Sequence, residues 1–369
     1  HNITASDGLA VPLGNTVQLL GPRGDGPYAR TIDLHLLRTR PFVTVATGAG
    51  LQVEALLFRS STTGVILCQG TLVVGNSVFH NNSNPGSGGG AVTTFSASVS
   101  ITGSVFIGNI AEQGGAVSST DSEMTLSSCT FSHNGAFGSG SRRLQDSSDV
   151  LPGGGALHWS KTDTSSGKRL LVESCTFERN VAQHRYGGAV FLAAAALATV
   201  DPTDTSDRHS TFKDVSFVQN EADFGGAVAV ASTFPYTTRK ADHWLLRLDH
   251  VACSNNTATG SGGAIAARDT TITIISGSFH GNNAGEGSGG ALHSSASVVT
   301  IEDNSFERNG VNFASGRGGA ISSEEDDVSI IRTSFVSHSA GFGGAIAINT
   351  GSTVAVSECR LDSNLARIE

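Results

Sequence analysis

Residues 104–117 read Ser-Val-Phe-Ile-Gly-Asn-Ile-Ala-Glu-Gln-Gly-Gly-Ala-Val, and this stretch decides the fold. It carries two signatures, F-x-x-N from Phe106 to Asn109 and G-G-A-V from Gly114 to Val117. The first returns at Phe79–Asn82, Phe131–Asn134, Phe177–Asn180, Phe217–Asn220, Phe279–Asn282 and Phe306–Asn309. Degenerate copies lie at Cys253–Asn256, Phe335–His338 and Leu361–Asn364. The second, always followed by Val, Leu or Ile, begins at Gly89, Gly114, Gly154, Gly187, Gly225, Gly262, Gly289, Gly318 and Gly343. The two slots alternate strictly, and 17 residues separate the first Gly from the next Phe slot in five of nine intervals.

A shortest period of 25 residues, made of strand-length apolar pieces and tight turns, predicts an all-β solenoid. Three short strands and three turns fill such a coil, and coils stack at about 4.8 Å. The Phe slot then repeats above itself as an internal aromatic stack. The Asn three residues later falls at a turn, where its amide can bond the backbone and the Asn of the next coil. In the Gly pair, one glycine answers to a positive φ and the other to close approach at a corner.

The paired G-G-A-[VIL] and F-x-x-N motifs resemble the repeats of the chlamydial polymorphic outer membrane protein family over roughly residues 70–369. The resemblance implies a right-handed parallel β-helix, here of about a dozen coils, in an extracellular or cell-surface setting with adhesive or structural roles. Short apolar runs begin at Thr31, so the boundaries expected are an irregular lead over 1–30 and one β-helix domain over 31–369.

Composition agrees with that class. Gly at 46 of 369 with only 8 Pro is neither collagen-like nor a Pro-rich linker. A net charge of −9 argues against nucleic acid and against an anionic membrane surface as partners. No apolar run approaches the ~20 residues that span a bilayer, the longest being Ala189–Val200. The opening at His1, without Met or a signal-like segment, reads as a trimmed product.

Insertions interrupt the period near 135–153, 159–168, 193–210 and 232–244. The last three occupy one place in consecutive coils and should share an edge. Trp159, Tyr236 and Trp244 belong to it. They read either as cover for apolar loop tops or as a contact edge that stacks on sugars or anchors a protein. Cys129 and Cys175 sit two residues before the Phe slot in adjacent coils, within disulfide range; buried free thiols are the equal alternative.

No Cys or His spacing supports a metal, and His158 and His293, which both follow G-G-A-L, lie in distant coils. Glu324-Glu325-Asp326-Asp327 reads as a solvated turn, with weak calcium binding as the sharper alternative. Sequons occur at Asn2, Asn81 and Asn255. Asn81 and Asn255 each precede a ladder Asn, so strand alternation points them outward.

The function expected is a non-catalytic extracellular structural glycoprotein, a rigid module or a filament subunit. It would assemble head to tail through coil ends and loops, or with other surface proteins, and carry covalent glycans. No cofactor is expected. The last copy, Leu361–Asn364, stops where a further coil should begin, so either the natural chain continues or a second subunit completes it. An adhesin acting through the inserted loops is the alternative. A polysaccharide lyase or hydrolase is a third, because parallel β-helices host such enzymes, but the expected carboxylate cluster is not apparent.

Overall fold

The computed structural model describes residues 3–4, 8–21, 30–35, 39–86, 88–137, 153–162, 168–194, 209–232 and 244–367. These form strands and turns without a helix, arranged in four sheets of 13, 10, 12 and 12 strands. Every pairing is parallel and joins one coil to the next. The molecule is a parallel β-helix.

One coil illustrates the circuit. The chain runs along the broad sheet (Ser98–Thr102), turns into the Phe sheet (Val105–Ile107), then into a short sheet (Ile110–Ala111). It crosses the Gly pair into the Gly sheet (Val117–Thr120) and turns again into the broad sheet (Glu123–Ser127). The expectation of three strands per coil is therefore corrected to four in the regular coils. The extra strand is a two-residue piece just after the ladder Asn, too short to carry an apolar pattern.

Alternation sets what faces inward. In Ser98–Thr102, Val99 and Ile101 are buried while Ser98 and Thr102 are exposed. Phe79, Phe106, Phe131, Phe177 and Phe217 pair in register and stack with centroids 4.7–5.2 Å apart. Cys253 takes the next place, buried, and the stack resumes through Phe279, Phe306 and Phe335.

Beside it runs the amide ladder. Asn82, Asn109, Asn134, Asn180, Asn220, Asn256, Asn282 and Asn309 are buried, and each of the first seven passes an Nδ2 bond of 2.9–3.0 Å to the Oδ1 of the next. The same Oδ1 accepts the backbone N–H of the previous ladder residue, and the other Nδ2 hydrogen goes to the Phe-slot carbonyl one coil back, as Asn180 bonds Phe131 O at 3.0 Å. Both donors and both acceptor sites of a buried amide are thereby used. His338 continues the ladder, its Nδ1 accepting Asn309 N–H at 3.0 Å and its Nε2 lying 3.1 Å from Phe306 O.

The Gly pair behaves as its spacing predicts. Gly154 holds φ +74, and a Cβ on Gly155 would lie 2.0 Å from Gly188 O of the next coil. The first position demands the left-handed region and the second demands the absence of a side chain.

The 1–30 lead is corrected. Leu9–Val11 pairs with Val43–Val45, Thr16–Leu20 with Gly50–Glu54, and Ile3–Thr4 with Ile32–Asp33. The solenoid thus starts inside that stretch. Its first coils lack the Phe, Asn and Gly-Gly signatures, so only weak apolar alternation marked them.

Candidate interaction surfaces

The last three inserted segments connect the Gly sheet to the broad sheet, and the first leads from the short sheet to the Gly sheet. Residues 163–167, 195–208 and 233–243 lie outside the described residues, as do 138–152, Tyr236 and Asn2. The strands that flank the insertions are described, and they correct the aromatic contact edge. Trp159 is fully buried and Trp244 nearly so, with ring centroids 5.0 Å apart inside the coil. Trp159 Nε1 donates to Ser122 O at 3.1 Å and Trp244 Nε1 to Ser210 Oγ at 3.3 Å. Both indoles are core, with their polar edges satisfied.

The reason lies in how this corner closes elsewhere. In regular coils a left-handed residue is followed by an inward small polar one, as in Asp121 (φ 50) then Ser122, or Glu325 (φ 56) then Asp326. Asp326 is fully buried and accepts Ser294 Oγ at 2.6 Å, Ser323 Oγ at 2.7 Å and Ser297 N–H at 2.7 Å. The solvated-turn reading of this acidic run therefore fails at Asp326, whose carboxylate caps the corner from within. Where a long segment replaces the turn, Trp244 takes the register place of that inward small polar residue, pairing with Thr270.

The thiols fill a similar capping column at the broad-to-Phe corner. Ser77 and Ser104 precede them there, and Cys129 and Cys175 are free, buried and stacked in adjacent coils. Cys175 Sγ accepts Cys129 N–H at 3.3 Å, as Ser104 Oγ accepts Ser77 N–H at 3.2 Å. Cys129 Sγ donates to Ser127 O, as Ser77 Oγ does to Gly75 O. Of the two readings, the structure has the free buried thiols and not the bridge, and they do a hydroxyl's work.

His158 and His293 share the second column of the Gly sheet, four coils apart. Among the described residues no three His, Cys, Asp or Glu side chains gather where they could hold a metal ion. Burial lowers His158 to about 4, and neither ring nitrogen has a hydrogen-bond partner. Its ring meets Phe191 edge-on, and Tyr186 stacks between Phe191 and Phe224.

That cluster belongs to an edge the sequence reading missed. Between the ladder Asn and the Gly pair, the chain presents Phe137 (42 % exposed), half-buried Tyr186 and Phe224, then Phe313 (52 %) and Phe342 (56 %). Arg317 lies 5.9 Å from the Phe342 ring centre. The available signal was a Phe four residues after the ladder position at 224, 313 and 342.

Two further surfaces complete the inventory. In the last described coil Val356, Leu361 and Leu365 are about half exposed, although Leu361 continues the column of buried Phe335. At the Phe-to-short corner Asn81 and Asn255 are exposed, as alternation requires, and hold φ 52 and 53.

A continuous parallel β-helix with satisfied polar ladders defines the class of protein. A model of the Chlamydia polymorphic membrane protein repeat matches residues 250–268, one short stretch similar to the family its motifs resemble. No curated protein matches the chain. Among solved structures, tailspike protein 3 of bacteriophage CBA120 is similar at 11 % identity with a TM-score of 0.51, over 97 % of this chain and 55 % of its own. The chain therefore spans little more than half of that protein's length. The A-module of mannuronan C-5 epimerase AlgE6 from Azotobacter vinelandii aligns at 11 % identity with a TM-score of 0.32, over 97 % of this chain and 90 % of its own. At such identity the tailspike likeness concerns the fold alone.

Proposed function

We propose that the chain is a non-catalytic structural module of the cell surface, a stiff rod that extends into a filament by stacking coil on coil. The observation that carries this is the last described coil. Asn364 Oδ1 accepts His338 N–H at 3.0 Å and its Nδ2 donates to Phe335 O at 3.1 Å, so it joins the ladder on one side. Its other face carries Leu361, Leu365 and Val356, each about half exposed, an apolar surface on which a further coil could pack. A coil stacked there would inherit both the amide ladder and the apolar column, whether it came from a longer chain or from a second copy.

The surface setting is supported by the membrane-protein repeat at residues 250–268. A non-catalytic role is favoured by how the described charges are spent: Arg59 on Asp33 at 2.8 Å, Arg332 on Asp303 at 2.7 Å and on Glu302, as separate exposed pairs. Electron microscopy of the native-source protein tests the reading. Regular fibrils with an axial repeat near the length of the coil stack support it, and isolated rods overturn it.

A second reading, adhesion to a neighbouring surface, is favoured by the exposed Phe313, Phe342 and Arg317 edge, since aromatic and Arg side chains anchor partners. Saturable binding of monomeric rods to cells, lost in a Phe313→Ala/Phe342→Ala variant of unchanged stability, would support adhesion over assembly.

A further inference from the structure

We propose that Asn81 and Asn255 are both N-glycosylated and that their glycans mark one edge of the rod as its solvent face. The sequon alone is a weak signal, because a left-handed turn favours Asn for its own reasons. The structure supplies three observations that the tripeptides do not.

First, the two residues occupy the same place in two coils. The Phe-to-short corner holds Ser60, Asn81, Gly108, His133, Arg179, Gln219, Asn255, Gly281, Arg308, Ser337 and Ser363, all with positive φ. Among the described residues of this corner, the residue two further on is Ser or Thr at 62, 83, 257 and 339. Two of those four coincide with the only two asparagines among the described residues of the column. A repeat that merely tolerates Asn at the turn gives no reason for this pairing.

Second, glycine occurs in the column only at 108 and 281, each directly above one of the two asparagines. A Cβ at Gly108 would come within 2.3 Å of Asn81 Oδ1, and one at Gly281 within 2.5 Å of Asn255 Oδ1. The next coil is thus bare where the carboxamide lies, and no side chain stands against a group attached to it.

Third, the two amides are free. Asn76 lies at the neighbouring corner with the same backbone and the same glycine above it, Gly103, but its Nδ2 donates to Glu54 Oε1 at 2.8 Å and it has no sequon. Among the described residues Asn81 and Asn255 have no side-chain hydrogen-bond partner, while the adjacent Asn82 and Asn256 are wholly engaged in the ladder. Within each Asn-Asn pair the fold therefore leaves one amide to chemistry and keeps the other for structure.

The co-reactant is a lipid-linked glycosyl diphosphate, supplied with its transferase by a secretory pathway. The amide nitrogen bonds to the anomeric carbon as the bond from that carbon to the diphosphate oxygen breaks. The lipid diphosphate leaves, and the amide proton passes to the transferase. Asn81 and Asn255 are five coil steps apart, about 24 Å along one edge at the strand spacing. Two glycans there leave lateral contacts to the other edges and leave the coil ends clear, so this deepens the proposed surface role and rests on it for the native chain.

The test separates site from setting. The full chain is secreted from a eukaryotic cell behind a heterologous signal and deglycosylated enzymatically in heavy-oxygen water, which marks each occupied Asn as labelled Asp. Label at both Asn81 and Asn255 is expected. Ser83→Ala and Thr257→Ala should each remove one glycan while protease resistance and the β-rich circular dichroism stay unchanged. An unmodified Asn81 or Asn255 in the secreted, protease-resistant chain overturns the proposal, as does a glycosylated chain that fails to fold where the doubly substituted one folds. Because the signal is supplied, these outcomes do not depend on where the native protein resides, which the native-source imaging addresses.

Discussion

The regular coils and the three coils with long connections close the same corner by opposite chemistry. The inward column of the Gly sheet makes this plain. It reads Thr94 and Ser119, then Trp159, Leu192 and Val230, then Ala267, Ser294 and Ser323. In the regular coils a tight turn aims backbone N–H groups into the coil, and side-chain oxygens meet them: Ser122 Oγ accepts Ala97 N–H at 3.1 Å, and Ser297 Oγ accepts Thr270 N–H at 3.2 Å. Where a longer segment replaces the turn, the corner needs volume instead of acceptors, and two indoles and two aliphatic side chains supply it. A buried polar group without a partner costs more than an apolar one in its place, so the switch follows the path of the backbone.

The ladder crosses both kinds of coil without change, so its removal should be equally severe in each. Asn109→Ala and Asn180→Ala each strand two donors on the preceding Asn and one Phe-slot carbonyl. At about 1–3 kcal/mol per orphaned group, each should lose roughly 5 kcal/mol in urea unfolding. Hydrogen exchange should accelerate first at the Asn82 and Asn134 amides respectively. A cost much smaller at 180 than at 109 would mean that the middle coils are held by something other than the ladder.

Trp159→Ala tests the corner itself. Truncating a fully buried indole should cost about 4 kcal/mol, whereas Ser119→Ala, one coil earlier in the same column, loses the 2.9 Å bond from Thr94 Oγ1 and should cost about 1 kcal/mol. The melting temperatures of the two variants check it. Equal costs would break the contrast, and a stable Trp159→Ala protein impaired only in binding would restore the indole as a contact residue.

Acid should expose a third difference. The outward column of the Gly sheet holds Ser118, the half-buried His293 and Ser322 in regular coils, and the fully buried His158 in the first long-connection coil. Burial lowers His158 to about 4, below its unfolded value near 6.5. The unfolded chain therefore takes up the proton first. Stability is full above pH 6.5, falls between 6.5 and about 4, and levels off below, losing roughly 3 kcal/mol. His338 and His293, also lowered by burial, add in the same direction. His158→Ser should flatten the largest part of that fall, read as urea midpoints at pH 7 and pH 4.5.

The sequence made the ladder, the stack and the Gly pair legible because each repeats at a fixed interval and each demands one residue type. Asn180 and Phe177 could be placed in three dimensions from their spacing alone. The first coil escaped because Leu9–Val11 and Thr16–Leu20 pair through backbone groups that any residue supplies. Trp159 and Trp244 were misplaced for a related reason: their position beside an insertion suggested the surface, but Trp159 keeps strand alternation and points inward. The exposed aromatic edge went unread because its fixed offset from the ladder is filled by Phe only at 224, 313 and 342, with Phe137 one residue nearer, so most coils do not repeat it.

The smallest effect discriminates most sharply between two readings of one column. Cys129 and Cys175 occupy places that Ser77, Ser104 and Thr333 fill in other coils, with the same bond to the carbonyl two residues back. Hydroxyls can take over those bonds, so Cys129→Ser and Cys175→Ser should each shift stability by less than about 1 kcal/mol. They should do so equally in oxidising and reducing buffer. A disulfide between them would instead make either substitution cost about 2–4 kcal/mol, and only under oxidising conditions. The redox dependence of the two melting curves therefore decides whether this corner is held by a ladder of small donors throughout or is stapled where the regular coils give way to the long-connection ones.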